Sequence, residues 1–285
     1  MSGATIGYPF NPVHLRPMSE ARFLGIDFSG GADPWRQTCA RPTVWIASLE
    51  GPRLVELMPV QDLPGEGQPF DRLVAFLAEG RYRAAAIDAP FALPERHMPP
   101  GGHGQLLSDI AQLPAAEDRP FPRGADLLAY ATQHASLATQ KPARLTERQH
   151  VATRSTLWNG SRPGAPFAAA CLTLVARSQR PVWPWKDGPG MLVETFPAAQ
   201  LRAWGLPHTG YSHEDARAVR AKIVTHLEGT QGIMINAPHR REMLRSADAL
   251  DAVLATFGAR AAANRQLKFQ KPPNWKIEGA IAIHA

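Results

Sequence analysis

Phe23-Leu24-Gly25-Ile26-Asp27-Phe28-Ser29-Gly30-Gly31 decides how the chain reads. Phe23, Leu24 and Ile26 favour a strand. Asp27 does not suit a strand interior, because burying a lone charge is costly. Ser29, Gly30 and Gly31 then let the backbone turn and approach another group closely. A carboxylate at the end of a central strand, facing open space, is placed to hold a metal or a substrate. The question for the rest of the chain is whether it supplies partners.

Three other stretches do. Ala84-Ala85-Ala86-Ile87-Asp88-Ala89-Pro90 is a second apolar run closed by a carboxylate, and Pro90 puts Asp88 at the strand's end. Met191-Leu192-Val193-Glu194-Thr195 is a third. Between Ser246 and Phe257, Leu250, Val253, Leu254 and Phe257 form one helical stripe with Ser246 as N-cap. Asp248 and Asp251 are three apart and share the edge of that stripe. Ala247, Ala252, Ala255 and Gly258 around them are small enough to let this face press against a sheet.

The elements between these stretches set the architecture. Strands are expected at 22–28, Thr43–Leu49 and Leu54–Val60, an antiparallel meander with a turn at Glu50-Gly51-Pro52. A helix over Asp71–Ala78 stops at Gly80. Residues 95–187 are rich in Pro, Gly, His and Arg and read as a mostly helical insert, with helical patches at 124–138 and 164–179. Short helices follow at 197–204 and 213–228, and a small strand within Glu278–Ile283. Residues 1–21, with Pro9, Pro12 and Pro17, read as an extended arm, and 22–285 as one domain.

Composition narrows the class. With 285 residues, 44% of them hydrophobic, the chain can bury a large core. No apolar run approaches the roughly 20 residues needed to span a bilayer, and the first residues carry no secretory signal pattern. Cys39 and Cys171 offer neither metal spacing nor a disulfide framework. The expectation is a cytoplasmic protein, away from membranes. Nothing in the pattern specifies an oligomeric state. The net charge is +6. Basic residues concentrate at Lys141, Arg144, Arg148, Arg154, Arg162, Arg177, Arg180 and Lys186 against the single acid Glu147, and again from Arg260 to Lys276. Such segments suit a nucleic-acid partner or a solvated surface.

Asp27, Asp88, Glu194, Asp248 and Asp251 are acids for which local structure has no use. Converging carboxylates repel one another unless a cation compensates them. One or two hard divalent cations, Mg²⁺ or Mn²⁺, are the natural compensation. A pair of such ions stabilises the attacking and leaving oxygens of phosphoryl displacement, with water as attacking group. His97, His103 and His134 are too irregularly placed to suggest a site.

The order of elements is that of the ribonuclease H-like topology, a mixed five-stranded sheet flanked by helices, with the insert between the fourth and fifth strands. Gly25-Ile26-Asp27-Phe28-Ser29, Ile87-Asp88-Ala89-Pro90-Phe91, Glu194-Thr195-Phe196-Pro197-Ala198-Ala199 and Asp248-Ala249-Leu250-Asp251-Ala252 resemble the motifs of the DUF429 family, predicted ribonuclease H-like nucleases. The Asp-x-x-Asp-Ala ending is also similar to the last acidic pair of RuvC Holliday-junction resolvases. The resemblance spans roughly residues 22–94 and 188–284. It implies a divalent-metal-dependent nuclease with Asp27 as first-strand ligand. Asp88 or Glu194 would be the middle ligand, and Asp251 with Asp248 the late-helix ligand. At least one of these acids would stand behind the ligands. Ser29, Arg144 and Arg148 are the expected substrate contacts: Arg144 or Arg148 would hold a phosphate bidentately or else form a salt bridge, and Ser29 would either cap the turn or stand beside the metal.

Two other classes fit less of the pattern. An actin/hexokinase-like phosphotransferase also has a Gly-Ile-Asp first strand, with Ser29, Gly30 and Gly31 as a phosphate cradle. It lacks here a second Asp-x-Gly-Gly loop and a glycine-rich adenosine motif. In a non-catalytic nucleic-acid or protein binding module, the acids would be helix caps and ion pairs.

Overall fold

The structure is a computed structural model, and it describes residues 21–137, 142–150, 153–268 and 273–285. The expected arm, Ala21 apart, lies outside these residues, as do Lys141 and Lys271 of the basic segments. In chain order come β1 (Arg22–Asp27), β2 (Trp45–Glu50), β3 (Arg53–Pro59), α1 (Pro69–Glu79) and β4 (Ala84–Ile87). Four helices follow: α2 (Gly102–Gln112), α3 (Gly124–Thr132), α4 (Leu145–Gln149) and α5 (Ala165–Ser178). Then come β5 (Met191–Glu194), α6 (Pro197–Ala203), α7 (Arg217–Gly229), α8 (Ala237–Arg245), α9 (Ala247–Asn264) and α10 (Trp275–Glu278).

The five strands form one mixed sheet in the order β3-β2-β1-β4-β5. β2 is antiparallel to β1 and β3, whereas β4 is parallel to β1 and β5 parallel to β4. The meander, the sheet and its helical flanks follow the sequence expectation. β1 is central, and its alternation feeds two cores. Phe23 joins Val193, Leu250, Val253 and Phe257 on one face, under α9. Leu24 and Ile26 join Ile87, Leu174 and Val175 on the other, with α1 and α5. Burying each such side chain contributes about 1.5–3 kcal/mol.

α9 seats directly on β1. A Cβ at Gly25 would lie 2.1 Å from the Ala252 carbonyl oxygen and 2.5 Å from the Thr256 nitrogen, so only glycine admits this approach. At the other end of β1, Gly30 is equally confined. Its Cβ would stand 2.4 Å from the Pro166 carbonyl carbon and 2.5 Å from the Phe167 nitrogen, at the start of α5. The close approach expected of these glycines is therefore made to the protein's own helices. α1 ends as expected at Gly80, which is left-handed with φ 65°.

Several elements differ from the sequence expectation, among them α2 and α4, which fall outside the helical patches expected in the insert. Of the patch at 124–138, residue 138 lies outside the described residues, and from 124 to 137 the helix ends at Thr132. The helix expected from 213 starts at Arg217, and 211–216 forms turns instead. α8 had no apolar periodicity to announce it, since only Met243 and Leu244 of its nine residues are buried. Asn236 caps it by accepting from the His239 N–H at 2.8 Å. The run Glu278–Ile283 makes no strand of the sheet. Glu278 closes α10, and Ala282 makes a single bridge with Thr195.

Candidate active site: an acidic cleft

Register decides where each acid points. Ile26 pairs with Ile87 and Ile87 with Glu194, so these three stand in one row across β1, β4 and β5. The ladder continues one step, with Asp88 N–H donating to the Ile26 carbonyl at 3.0 Å and Thr195 N–H to the Ile87 carbonyl at 3.1 Å. The next row is therefore Asp27, Asp88 and Thr195. Side chains of successive rows leave opposite faces of the sheet. Asp27 and Asp88 leave on the face of Phe23, Gly25, Ala84 and Ala86, which α9 covers. Glu194 leaves on the face of Leu24, Ile87 and Leu192.

α9 brings the second pair. Ser246 Oγ accepts the Ala249 N–H at 3.2 Å, which fixes the first turn of the helix. Ala252 and Thr256 press on Gly25, so Asp248 and Asp251, one turn earlier, overhang the end of β1 beside Asp27. Asp27, Asp88, Asp248 and Asp251 all line one cleft of about 720 Å³. Tyr211 O–H donates to Asp251 Oδ1 at 2.9 Å. Arg220, 2% exposed, holds that segment by donating to the carbonyls of Tyr211, His213 and Glu214 while also reaching Leu244.

The four acids perturb one another. Burial, then Asp251, Asp248 and Asp88, push the Asp27 carboxyl well above its usual range. Burial pushes Asp88 up to about 7, with Arg154 opposing and Glu194 adding to the rise. Burial and Asp88 likewise raise Asp251, against the Tyr211 hydrogen bond. Asp248 rises to about 6 through burial. As anions these groups are frustrated, and added positive charge would relieve them.

Glu194 has a different environment. Arg144 grips it with two parallel bonds, Nη1–H to Oε2 at 2.8 Å and Nη2–H to Oε1 at 2.5 Å. Phe91 N–H donates to Oε2 at 3.0 Å. Arg144 is 1% exposed and also donates to Glu147 Oε1 at 2.8 Å and the Glu278 carbonyl at 3.1 Å. Burial opposes the Arg144 charge, but Glu194 and Glu147 outweigh it and hold the guanidinium above its ordinary range. Thr156 O–H closes the network on Glu147. Arg144 and Glu194 both line the cleft, but the guanidinium expected to meet a phosphate is bonded to the protein's own carboxylates, and the acid expected as a middle ligand already accepts three hydrogen bonds across its two oxygens. Arg148 is exposed and does not line the cleft. Ser29 does line it, but its Oγ accepts the Gly31 N–H at 3.2 Å, closing a local turn. With Gly30 pressed on α5, these glycines do not form an open phosphate cradle.

Sequence reasoning passed over the residues that complete the walls. Arg154 and Arg162 line one side with Phe167, and His208, Tyr211 and His213 the other. All but Phe167 sit in loops, where no periodicity marks them. The one available signal was the excess of arginine over acid before α5.

Asp27, Asp88, Asp248 and Asp251 offer carboxylate oxygens to the cleft, which suit Mg²⁺ or Mn²⁺ by ligand chemistry. Among the described residues, no three His, Cys, Asp or Glu side chains already stand close enough to form a ready metal cage. The side chains would have to turn inward to share an ion. No helix among the described residues is long and apolar enough to cross a membrane. Residues 25–274 match the family described as "Protein of unknown function (DUF429)". No curated protein and no solved structure matches the chain.

Proposed function

The chain belongs to the DUF429 family, and we propose that its acidic cleft is the centre of a divalent-cation-dependent phosphodiesterase of ribonuclease H-like fold, acting on a nucleic acid. The observation that carries this reading is the row of Asp27 and Asp88 at adjacent strand ends, faced by Asp248 and Asp251 from α9. The strand order β3-β2-β1-β4-β5, with a late helix over β1, supports the fold. The basic loop residues Arg154 and Arg162 on the wall suit an anionic substrate.

In this reading Asp27 and Asp88 hold Mg²⁺ or Mn²⁺ from the sheet, and Asp251 with Asp248 from the helix. The cation, when bound, supplies Lewis acidity to water and to the leaving oxygen. Tyr211 fixes Asp251 Oδ1 and leaves the other oxygen free to turn inward. Glu194 keeps its charge balanced by Arg144 and so supports the Phe91 backbone beside the cleft. No side chain is required to become covalently bonded to substrate.

The test is cleavage of structured DNA and RNA by wild type and Asp27→Asn in MgCl₂, MnCl₂ and EDTA. Cleavage is expected only with divalent cation, and Asp27→Asn should lose more than about 10²-fold, the equivalent of several kcal/mol of transition-state stabilisation. Equal rates in the two proteins would remove Asp27 from the mechanism. A binding-only module draws support from the lack of a ready metal cage. Titration calorimetry showing no Mn²⁺ binding would favour it.

A further inference from the structure

Arg154 lines the cleft as a cation. Among the described residues, neither it nor Arg162 enters a salt bridge. Its guanidinium carbon lies over the Phe167 ring, 4.4 Å from the centroid, a cation–π contact. Among the described residues, a contact of 3.4 Å from Nη1 to the Pro163 carbonyl is its one hydrogen bond. Most of its five donors therefore remain available. Burial and Arg162 weaken its charge, while Asp88 and Asp27 strengthen it. It thus faces the acids across the cleft at electrostatic range without touching them.

The loop that carries it is anchored at its base. Phe167 begins α5 against the backbone of Gly30, three residues from Asp27. A Cβ at Gly164 would meet the Ser155 carbonyl oxygen at 2.1 Å, so the loop from Arg154 to Gly164 closes tightly on itself. Gly164 and Ala165 N–H both donate to the Trp158 carbonyl, at 2.9 and 3.0 Å. The cleft between this wall and the acids is of a size that encloses a small ligand, about 720 Å³. One phosphodiester and its flanking nucleosides are of a size with such a space.

We propose, resting on the phosphodiesterase reading, that Arg154 is the substrate's phosphate anchor and that the substrate enters as an unpaired strand. Its planar fork takes two oxygens of one phosphate. That phosphate would bridge the wall and the acidic floor, with Arg162 at the rim adding charge.

Fluorescence anisotropy tests this without requiring catalysis. The probes are a fluorescein-labelled single-stranded hexanucleotide, as DNA and as RNA, and a blunt duplex of the same sequence. The proteins are wild type in EDTA and Asp27→Asn in MgCl₂, each with and without Arg154→Ala. The single strand should bind, and Arg154→Ala should weaken it about tenfold and lower the salt slope by about one charge. Arg154→Lys should recover part of the affinity. Arg148→Ala, outside the cleft, should change nothing. Arg154 is exposed, and an unchanged melting temperature confirms that its loss leaves the fold intact. Duplex binding as tight as single-strand binding, no binding of either, or equal affinity in Arg154→Ala overturns the proposal. Cleavage that persists unchanged in Arg154→Ala sinks the anchor alone. Arg154-dependent binding without cleavage sinks the phosphodiesterase reading alone.

Discussion

Asp27 and Glu194 start from the same local pattern, a short apolar strand closed by an acid, and end in opposite circumstances. Asp27 faces α9 and three further acids, with its carboxyl pushed up by burial and by their charges. Glu194 is clasped by Arg144 with both oxygens bonded. The cause is a phase difference of one residue. Glu194 stands in the row of Ile26 and Ile87, and Thr195 occupies the row of Asp27 and Asp88. In a strand, one residue of offset sends a side chain to the opposite face. On one face the chain leaves the negative charge for something outside itself to balance. On the other it supplies the balancing cation from Arg144, the N-cap of α4.

The sharpest way to break that contrast is to remove the internal cation. Arg144→Met leaves Glu194 and Glu147 buried without compensation and should cost about 3–5 kcal/mol in urea denaturation. Asp27→Asn relieves repulsion instead, and should leave the midpoint unchanged or raise it. A double variant, Arg144→Met with Glu194→Gln, should recover part of the loss. If Arg144→Met unfolds at the wild-type urea concentration, the two regions are not energetically different and the contrast fails.

The sheet was legible because its signals are local. Apolar runs, Gly80 as a stop and the stripe of Leu250, Val253, Leu254 and Phe257 each declare themselves within a few residues. The small residues around Ala252 also announced a helix pressed on a sheet; that Gly25 receives it did not show. The acids could be located at strand ends, but not oriented. That needed the register between β4 and β5, which no single strand encodes. The pairing of Arg144 with Glu194 joins residues 50 apart, and Arg144 in the sequence is only one arginine among many. Arg220, Tyr211 and Arg154 act from turns and loops or through backbone carbonyls, which leave no periodic trace.

The acid cluster also makes a pH prediction. Asp27, Asp88, Asp248 and Asp251 all titrate above the ordinary carboxylate value of 3.8 in the folded protein. The folded state therefore keeps protons that the unfolded state has released. That contribution to stability is whole below about pH 4. It is lost as pH rises through the folded values, about 6 for Asp248 and about 7 for Asp88. The melting temperature should fall across this range, and less steeply in Asp88→Asn. Mn²⁺ at a hundred times its dissociation constant should restore about 2.7 kcal/mol at pH 8, and much less at pH 5, where protons already neutralise the acids. A Mn²⁺ effect of equal size at both pH values would disconnect the cation from these carboxylates.

Asp251 lies between the two extremes and gives the finest test of the contrast. It belongs to the frustrated cluster, yet it has one neutral partner, the Tyr211 hydroxyl at 2.9 Å, which favours its charged form against burial and Asp88. Tyr211→Phe keeps the ring in its buried place and deletes that donor. The stability cost should be about 1 kcal/mol or less. The informative change is electrostatic: Asp251 should hold its proton to higher pH, so the pH at which Mn²⁺ begins to raise the melting temperature should move upward. Arg220 fixes the Tyr211 backbone independently of the hydroxyl, so the substitution changes the hydrogen bond without releasing the segment that carries it. An unaltered Mn²⁺ onset would mean that the hydroxyl packs beside the cluster without tuning it. The charge on Asp251 would then be governed, like that on Asp27, by burial and neighbouring acids alone.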